Sequence, residues 1–262
     1  SVMDSEIYLD RDTVIHRLDP RTKILMLLTA FVVLLYFQDP LWVLPLSVLV
    51  IVWGFVAKSI VNLRRIRYIL FILTISSLIM WTLFSGGETP LFWIFEVEAV
   101  KYSIARTLVM LSLITTGMIL LSTTRNEELV IGMIKLGLPY RVGFAFSTAL
   151  RLVPTIASST QTIAQAQRSR GLDLDSGNIL ERLRKYVPLL IPVFISTIRG
   201  TNTFGMALEA KGFGARKERT FYLNPTMGRA DYIILAGLVL IFAALTYFKI
   251  AGYGMIEGLI RF

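Results

Sequence analysis

The stretch DPRTKILMLLTAFVVLLYFQDP, residues 19–40, decides the fold. It lies between two Asp-Pro pairs, Asp19-Pro20 and Asp39-Pro40. An aspartate can accept hydrogen bonds from the orphaned amides of a helix start. A proline at the first helical position gives up an N–H that would have no partner there anyway. Between the pairs, Thr22 to Gln38 is almost wholly apolar, enough for one passage through bilayer hydrocarbon. After the second pair a further apolar run extends from about Leu41 to Ala57. Only a few residues link the two runs, so they are expected to form an antiparallel pair of spans.

The rest of the chain repeats this pattern at longer intervals. Lys58 to Arg67 holds Lys58, Arg64, Arg65 and Arg67 and no acid, a short basic loop of the kind retained in the cytoplasm. Residues 68–84 form a third expected span. Gly86-Gly87 and Pro90 then break the pattern, and a loop with Glu88, Glu96 and Glu98 among Phe92, Trp93 and Phe95 reads as external and interfacial. A fourth span is expected from about Ile104 to Leu121 and a last one from about Tyr232 to Phe248. Five spans with the basic loop inside place the N-terminus in the cytoplasm and the C-terminus outside. Lys23, Arg106 and Lys249 are expected at span edges, leaving the membrane core uncharged.

Composition agrees. Hydrophobic residues make up 55% and charged ones 17%, against about a quarter charged in soluble domains. Mean hydropathy is +0.65. The net charge of +9 suits a polytopic protein against an anionic inner leaflet better than a nucleic-acid binder. With no cysteine and one histidine, His16, disulfides, thiolate catalysis and multi-histidine metal sites are excluded, and no cofactor is implied. The first twenty residues are polar and do not read as a cleavable signal peptide. The fold class is therefore an all-α polytopic membrane protein of about five transmembrane helices. It divides into a surface arm (1–21), four spans (22–121), a polar helical region (122–220) and a last span with its tail (221–262).

The polar region is the unusual part. Its apolar runs, such as Val187 to Ile198 with Pro188 and Pro192, are too short to span, and it reads as amphipathic helices along the inner face. Thr124-Arg125-Asn126-Glu127 fits a capping box that opens a short helix ending at Gly137. A second helix is expected from Pro139 to Arg170, kinked at Pro154, and a third from Asn178 to Lys211. The second and third end alike. Gly171 and Gly212 stand where a left-handed residue closes a helix, an apolar residue follows each, and Arg170 or Lys211 faces the negative end of the helix dipole. Each is by itself an ordinary glycine cap. Their recurrence, and the small residues before them (Ala164, Ala166, Ser169; Gly205, Ala207, Ala210), suit a closely approaching partner.

With these residues in view, the chain resembles the transmembrane T component of energy-coupling factor (ECF) transporters, a branch of the ABC transporters. The resemblance extends over nearly the whole length. It includes His16 to Lys23, Arg170-Gly171-Leu172-Asp173, the run from Pro188 to Ser196, and Glu209-Ala210-Lys211-Gly212. The hallmark of the family is a pair of Ala-Arg-Gly motifs ending two cytoplasmic coupling helices, each docked on one of two ATPase subunits. Here the pair reads Ser169-Arg170-Gly171 and Ala210-Lys211-Gly212. Lysine keeps the charge and loses the bidentate fork.

The resemblance implies a non-catalytic subunit of a vitamin or micronutrient importer in the cell membrane. It would link two ABC ATPases to a substrate-binding S component. Phe144, Phe146, Phe194 and Phe204 are candidates for the surface facing that S component. A self-contained permease or channel is the alternative and would call for charges at mid-membrane. A membrane-embedded enzyme would call for a catalytic cluster, yet there is no His-Glu-x-x-His and no Gly-Lys-Ser/Thr phosphate loop. His16 reads as structural, Glu96 and Glu98 as solvated loop charges, and Met118 and Met206 as packing or lipid-facing residues.

Overall fold

The computed structural model describes residues 8, 11, 13–87, 89–92, 95–172, 178–215, 225–256 and 260–261. Most of the N-terminal arm, Glu88 and Trp93 of the loop, and Asp173 lie outside these residues, as do the side chains of Phe92 and Phe95. The chain forms two compact units, one of residues 1–138 with 225–262, the other of residues 139–224.

The first unit holds α1 (Pro20–Tyr36), α2 (Pro40–Val56), α3 (Ile60–Arg65), α4 (Arg67–Phe84), α5 (Val97–Thr123), α6 (Asn126–Lys135) and, after the second unit, α9 (Arg229–Ile250). Helices α4, α5 and α9 are long and apolar enough to cross a membrane, and α2 is a shorter apolar helix. The strands are two-stranded scraps. β1 (Ser85–Gly86) pairs with β4 (Ile260–Arg261), and β2 (Pro90–Phe92) with β3 (Phe95–Glu96). The fold is thus an all-α membrane protein.

Both Asp-Pro starts form as expected. The Asp19 carboxylate accepts the Arg21 N–H at 2.9 Å, and that of Asp39 accepts the Leu41 N–H at 2.9 Å. The Thr124 box does not form. Thr124 ends α5 in extended conformation, its hydroxyl is buried without a partner among the described residues, and α6 opens one residue later behind Arg125. The α5–α6 link is so short that one residue cannot both close one helix and cap the next. The basic loop 58–67 contains a short helix, α3. Its Asn62 is buried and donates to the Ser122 hydroxyl at 2.8 Å, which fixes the loop on α5.

Helix α5 is the centre of this unit, packed by α4, α2, α1 and α3. Its buried face is mostly small: Ala99, Ser103, Ala105, Thr107, Ser112, Thr116 and Ser122. Small residues let helices approach closely where lipid supplies no hydrophobic drive between them. Ser77 on α4 meets Thr107 at 3.0 Å, and Gly54 on α2 faces Ile119.

Long-range bonds fix the direction of each helix. The Lys23 ammonium donates to the Thr123 carbonyl at 2.9 Å, which places the end of α5 at the start of α1. Asp231 Oδ1 accepts the Asp19 N–H at 2.9 Å, placing the start of α9 there too. At the far end, Lys249 Nζ donates to the Tyr36 carbonyl at 2.7 Å, and the Gly254 carbonyl accepts the N–H groups of Gln38 and Asp39. Helices α1 and α9 therefore run parallel and α5 runs against them, as five alternating passages require. Phe37, Trp42, Phe248 and Tyr253 cluster at this far end, as aromatic side chains do at a membrane boundary. Chain exit and re-entry around the second unit are held together at the near end, where Lys135 Nζ donates to the Pro225 carbonyl at 2.6 Å.

Two charges depart from the expectation that they stand at span edges. Arg106 is well inside α5, because that helix starts at Val97 rather than near Ile104; its guanidinium lies 4.9 Å from the Tyr102 ring centre. Lys23 is at the edge in sequence and fully buried in space.

The second unit is a pair of long helices, α7 (Tyr140–Ser169) and α8 (Ile179–Ala210), which continue through Pro154 and through Pro188 and Pro192. The end of α8 returns to the start of α7: the Phe213 ring lies 4.3 Å from Phe144 and 6.3 Å from Tyr140.

Gly254 tests the closure at the far end. It has a φ of +75°, and a Cβ there would overlap the fully buried Phe37 ring. Gly254→Ala is expected to cost about 1–3 kcal/mol by overpacking. The loss would be read as a lower unfolding temperature in detergent. An unchanged midpoint would rule out this contact as a closure.

Candidate functional site

The two motif ends have one geometry. At the end of α7, Arg170 is the last residue before the reversal, Gly171 has a φ of +90°, and Gly171 N–H donates to the Arg168 carbonyl at 2.9 Å. Leu172 N–H reaches back to the Gln167 carbonyl at 3.0 Å. At the end of α8, Lys211 takes the place of Arg170 and Gly212 has a φ of +72°. Gly212 N–H donates to Glu209 at 2.8 Å and Phe213 N–H to Leu208 at 2.9 Å. This double bond is the Schellman closure that leaves a helix end rigid. Neither glycine is crowded, with nothing nearer than 4.0 Å to a Cβ at either site, so backbone sign rather than space calls for it.

Rigidity alone does not single these ends out. The ends of α6 and α9 close in the same way, at Gly137 (φ +117°) and Gly252 (φ +86°). Their basic residues are held by the chain itself, Lys135 on the Pro225 carbonyl and Lys249 on the Tyr36 carbonyl. Arg170 and Lys211 are exposed, and among the described residues neither side chain makes a hydrogen bond or ion pair. A preset cation on a rigid, small-residue knob is an arrangement suited to an acidic groove.

The knobs are far apart. Phe213 follows the second knob and touches the start of α7, while Arg170 ends that helix. The twenty-five residue steps from Phe144 to Ser169 correspond to roughly 38 Å of helix. Two separate partner surfaces can therefore be engaged at once.

Between the knobs α7 and α8 carry exposed apolar stripes. On α8, Val187, Leu190, Ile191, Phe194, Ile195 and Ile198 recur at three- and four-residue steps; on α7, Val142, Phe146 and Val153 do so. The α8 run, too short to span, reads in the sequence as part of an amphipathic helix, and its three- and four-residue periodicity is the signal for this continuous face. Phe194 is 64%, Phe146 54% and Phe204 37% exposed. Phe144 is instead half-buried against Phe213 and Tyr140. His16 is in the arm, with Nδ1 2.6 Å from the Thr13 hydroxyl and its carbonyl accepting from Lys23.

The profile of the family described as cobalt transport protein, CbiQ, matches residues 11–222. The chain is 33% identical over 247 residues to the energy-coupling factor transporter transmembrane protein EcfT of Acidaminococcus fermentans, covering 89% of this chain and 91% of that one. It is 29% identical over 253 residues to EcfT of Bacillus selenitireducens (90% and 93% covered) and 29% over 270 residues to EcfT of Bacillus subtilis (94% and 99%).

The caps make a local prediction. Gly171→Ala and Gly212→Ala are each expected to destabilise their helix end by about 1 kcal/mol, the cost of holding a Cβ in the left-handed region. Faster amide exchange of the last turn would register it. Equal exchange in variant and wild type would remove the requirement for glycine.

Proposed function

The chain belongs to the CbiQ/EcfT family as the transmembrane T component of an ECF transporter, and from that premise we propose that it couples two ABC ATPases to a substrate-binding S component. The observation that carries this reading is the pair of exposed cations, Arg170 and Lys211, which make no hydrogen bond or ion pair among the described residues and stand on rigid helix ends at opposite extremes of one helix pair. Each knob, Ser169-Arg170-Gly171 and Ala210-Lys211-Gly212, docks in an acidic groove of one ATPase subunit. ATP-driven closure of the two ATPases then shifts α7 and α8 together.

The exposed stripes of these helices, with Phe146, Phe194 and Phe204, form the surface that holds and reorients the S component. Phe144 supports that surface from below by fixing Phe213. The cargo is a vitamin or other micronutrient, bound by the S component rather than by this chain. The arm's end of the first unit faces the cytoplasm, because Lys58, Arg64, Arg65 and Arg67 are concentrated there. The polar region of residues 122–220 is the cytoplasmic coupling domain on this reading. ATP hydrolysis belongs to the partners.

Arg170→Glu is expected to weaken ATPase binding at least about 30-fold, the lower bound for breaking one side of a buried charge pair. Co-purification from membranes would show the ATPase subunits lost. Lys211→Arg is expected to strengthen the second contact, since it restores the bidentate fork. Full ATPase recovery with Arg170→Glu would contradict the docking role. Phe194→Asp separates the two functions: it is expected to release the S component and leave the ATPases bound, and loss of neither would remove the stripe from the reading.

A further inference from the structure

Arg106 is a charge of the first unit that the coupling role leaves unused. It stands roughly 13 Å along α5 from Val97, inside a helix long and apolar enough to span. A charge so placed needs a partner or a function. Its guanidinium lies over the Tyr102 ring, one turn back toward the start of α5. Tyr102 in turn meets Trp81 edge-on at 5.4 Å, near the end of α4 at Phe84. Tryptophan and tyrosine favour the headgroup level, so the cation sits just inside the far boundary. Arg106 has no ion pair among the described residues, and its Nε is buried without a partner. The residue is only half-buried and its terminal nitrogens are not shut off, so they can be reached from outside. The carboxylates at the start of α5 are engaged elsewhere, Glu96 on the Gly87 N–H and Glu98 on the Thr89 hydroxyl.

The face of α5 that carries Arg106 continues inward as an apolar strip. Arg106, Met110, Leu113 and Gly117 follow at three- and four-residue steps, and all four are only partly covered. A Cβ on Gly117 would meet nothing within 4 Å. The residues beside the strip are buried, Val109, Ser112 and Thr116 toward one side and Ser103 and Thr107 toward the other. Ser77 of α4 meets Thr107, and Gly54 of α2 faces Ile119. The strip therefore runs between α2 and α4, which make few direct contacts with each other. From Arg106 to Gly117 is roughly 16 Å of helix, the depth of one leaflet in a hydrocarbon layer of about 30 Å. A free anion would account for the cation and leave the apolar strip unexplained. A neutral lipid would leave the guanidinium unpaired. A further spanning helix, about 10 Å across, is too broad for a strip one residue wide.

We propose that this strip is the binding site of a phospholipid from the far-end leaflet, its phosphate on the Arg106 guanidinium and one acyl chain laid along Met110 and Leu113 to Gly117. Guanidinium presents paired N–H donors that match phosphate oxygens. The acyl chain fills the space in front of Gly117 and seals the gap between α2 and α4. The site belongs to the first unit alone and stands whether or not the coupling reading does.

Trp81 is the probe. Trp42, Trp53 and Trp93 are replaced by Phe, and the full chain is reconstituted in vesicles of uncharged galactosyl diacylglycerol. Phosphatidylglycerol brominated near the carbonyl end of its acyl chains, which quenches nearby indole fluorescence, is then included at increasing mole fraction. Quenching of Trp81 is expected to saturate at a low fraction, whereas brominated galactolipid quenches only in proportion to its supply. Trp81 is near the end of α4 opposite Arg64, Arg65 and Arg67, so attraction of the acidic lipid to those residues does not enter the signal. Arg106→Gln is expected to raise half-saturation about fivefold, at about one kcal/mol per arginine. Equal quenching by the two lipids with Arg106 intact, or superimposed curves for Arg106→Gln and its parent, would overturn the proposal. Loss of a co-purifying membrane partner in Arg106→Gln with unchanged quenching would assign the guanidinium to a carboxylate of that partner, and would overturn it as well.

Discussion

The first unit depends on a buried ammonium. Lys23 lies one turn into α1, is 1% exposed, and donates to the His16 carbonyl at 3.0 Å and to the Thr123 carbonyl at 2.9 Å. A charge withdrawn from water must recover hydrogen bonds or be expelled. Here the acceptors are a carbonyl of the arm and one at the end of α5, where α5 has run out of amides to satisfy it. The same turn of α1 begins with Asp19, whose N–H is held by Asp231 at the start of α9. Three helix termini and the arm are thereby joined at one point. The polarity of the unit and the site where the chain leaves and returns both follow from that junction.

The second unit follows different rules. Its helices carry Phe194, Ile191 and Phe146 outward, a surface that water penalises and a partner or lipid would cover. Its ends are rigid by hydrogen bonding, and its end cations are unpartnered among the described residues. A unit designed for its own stability would reverse both choices. The contrast with α6 and α9 is the informative comparison, since the same cap there holds a lysine already bound to the chain.

Much of the architecture was legible in local residue patterns. Asp19-Pro20 and Asp39-Pro40 start helices because the cap reaches only two residues ahead. Gly171 and Gly212 end helices because no other residue enters the left-handed region so readily. Local reading failed where two local signals competed. Thr124 has a capping sequence after it and a long helix before it, and the helix before it claimed the residue. The basic stretch 58–67 concealed α3, whose docking rests on Asn62 meeting Ser122 sixty residues away. The small-residue face of α5 was present in the sequence, but polar Ser and Thr side chains among apolar ones do not reveal which side is buried.

The sequence by itself determined that this is a helical membrane protein, where most helices begin and end, and that two of those ends carry matching basic glycine caps. Hydropathy and capping act within a few residues, so they can be read along the chain. Only the tertiary structure decided that Lys23 is buried, that α1 and α9 run parallel, and that Lys135 and Lys249 are engaged while Arg170 and Lys211 have no partner among the described residues. Those outcomes rest on partners as much as 212 and 213 residues distant, and which carbonyl is nearest to a given ammonium is settled by packing rather than by sequence order.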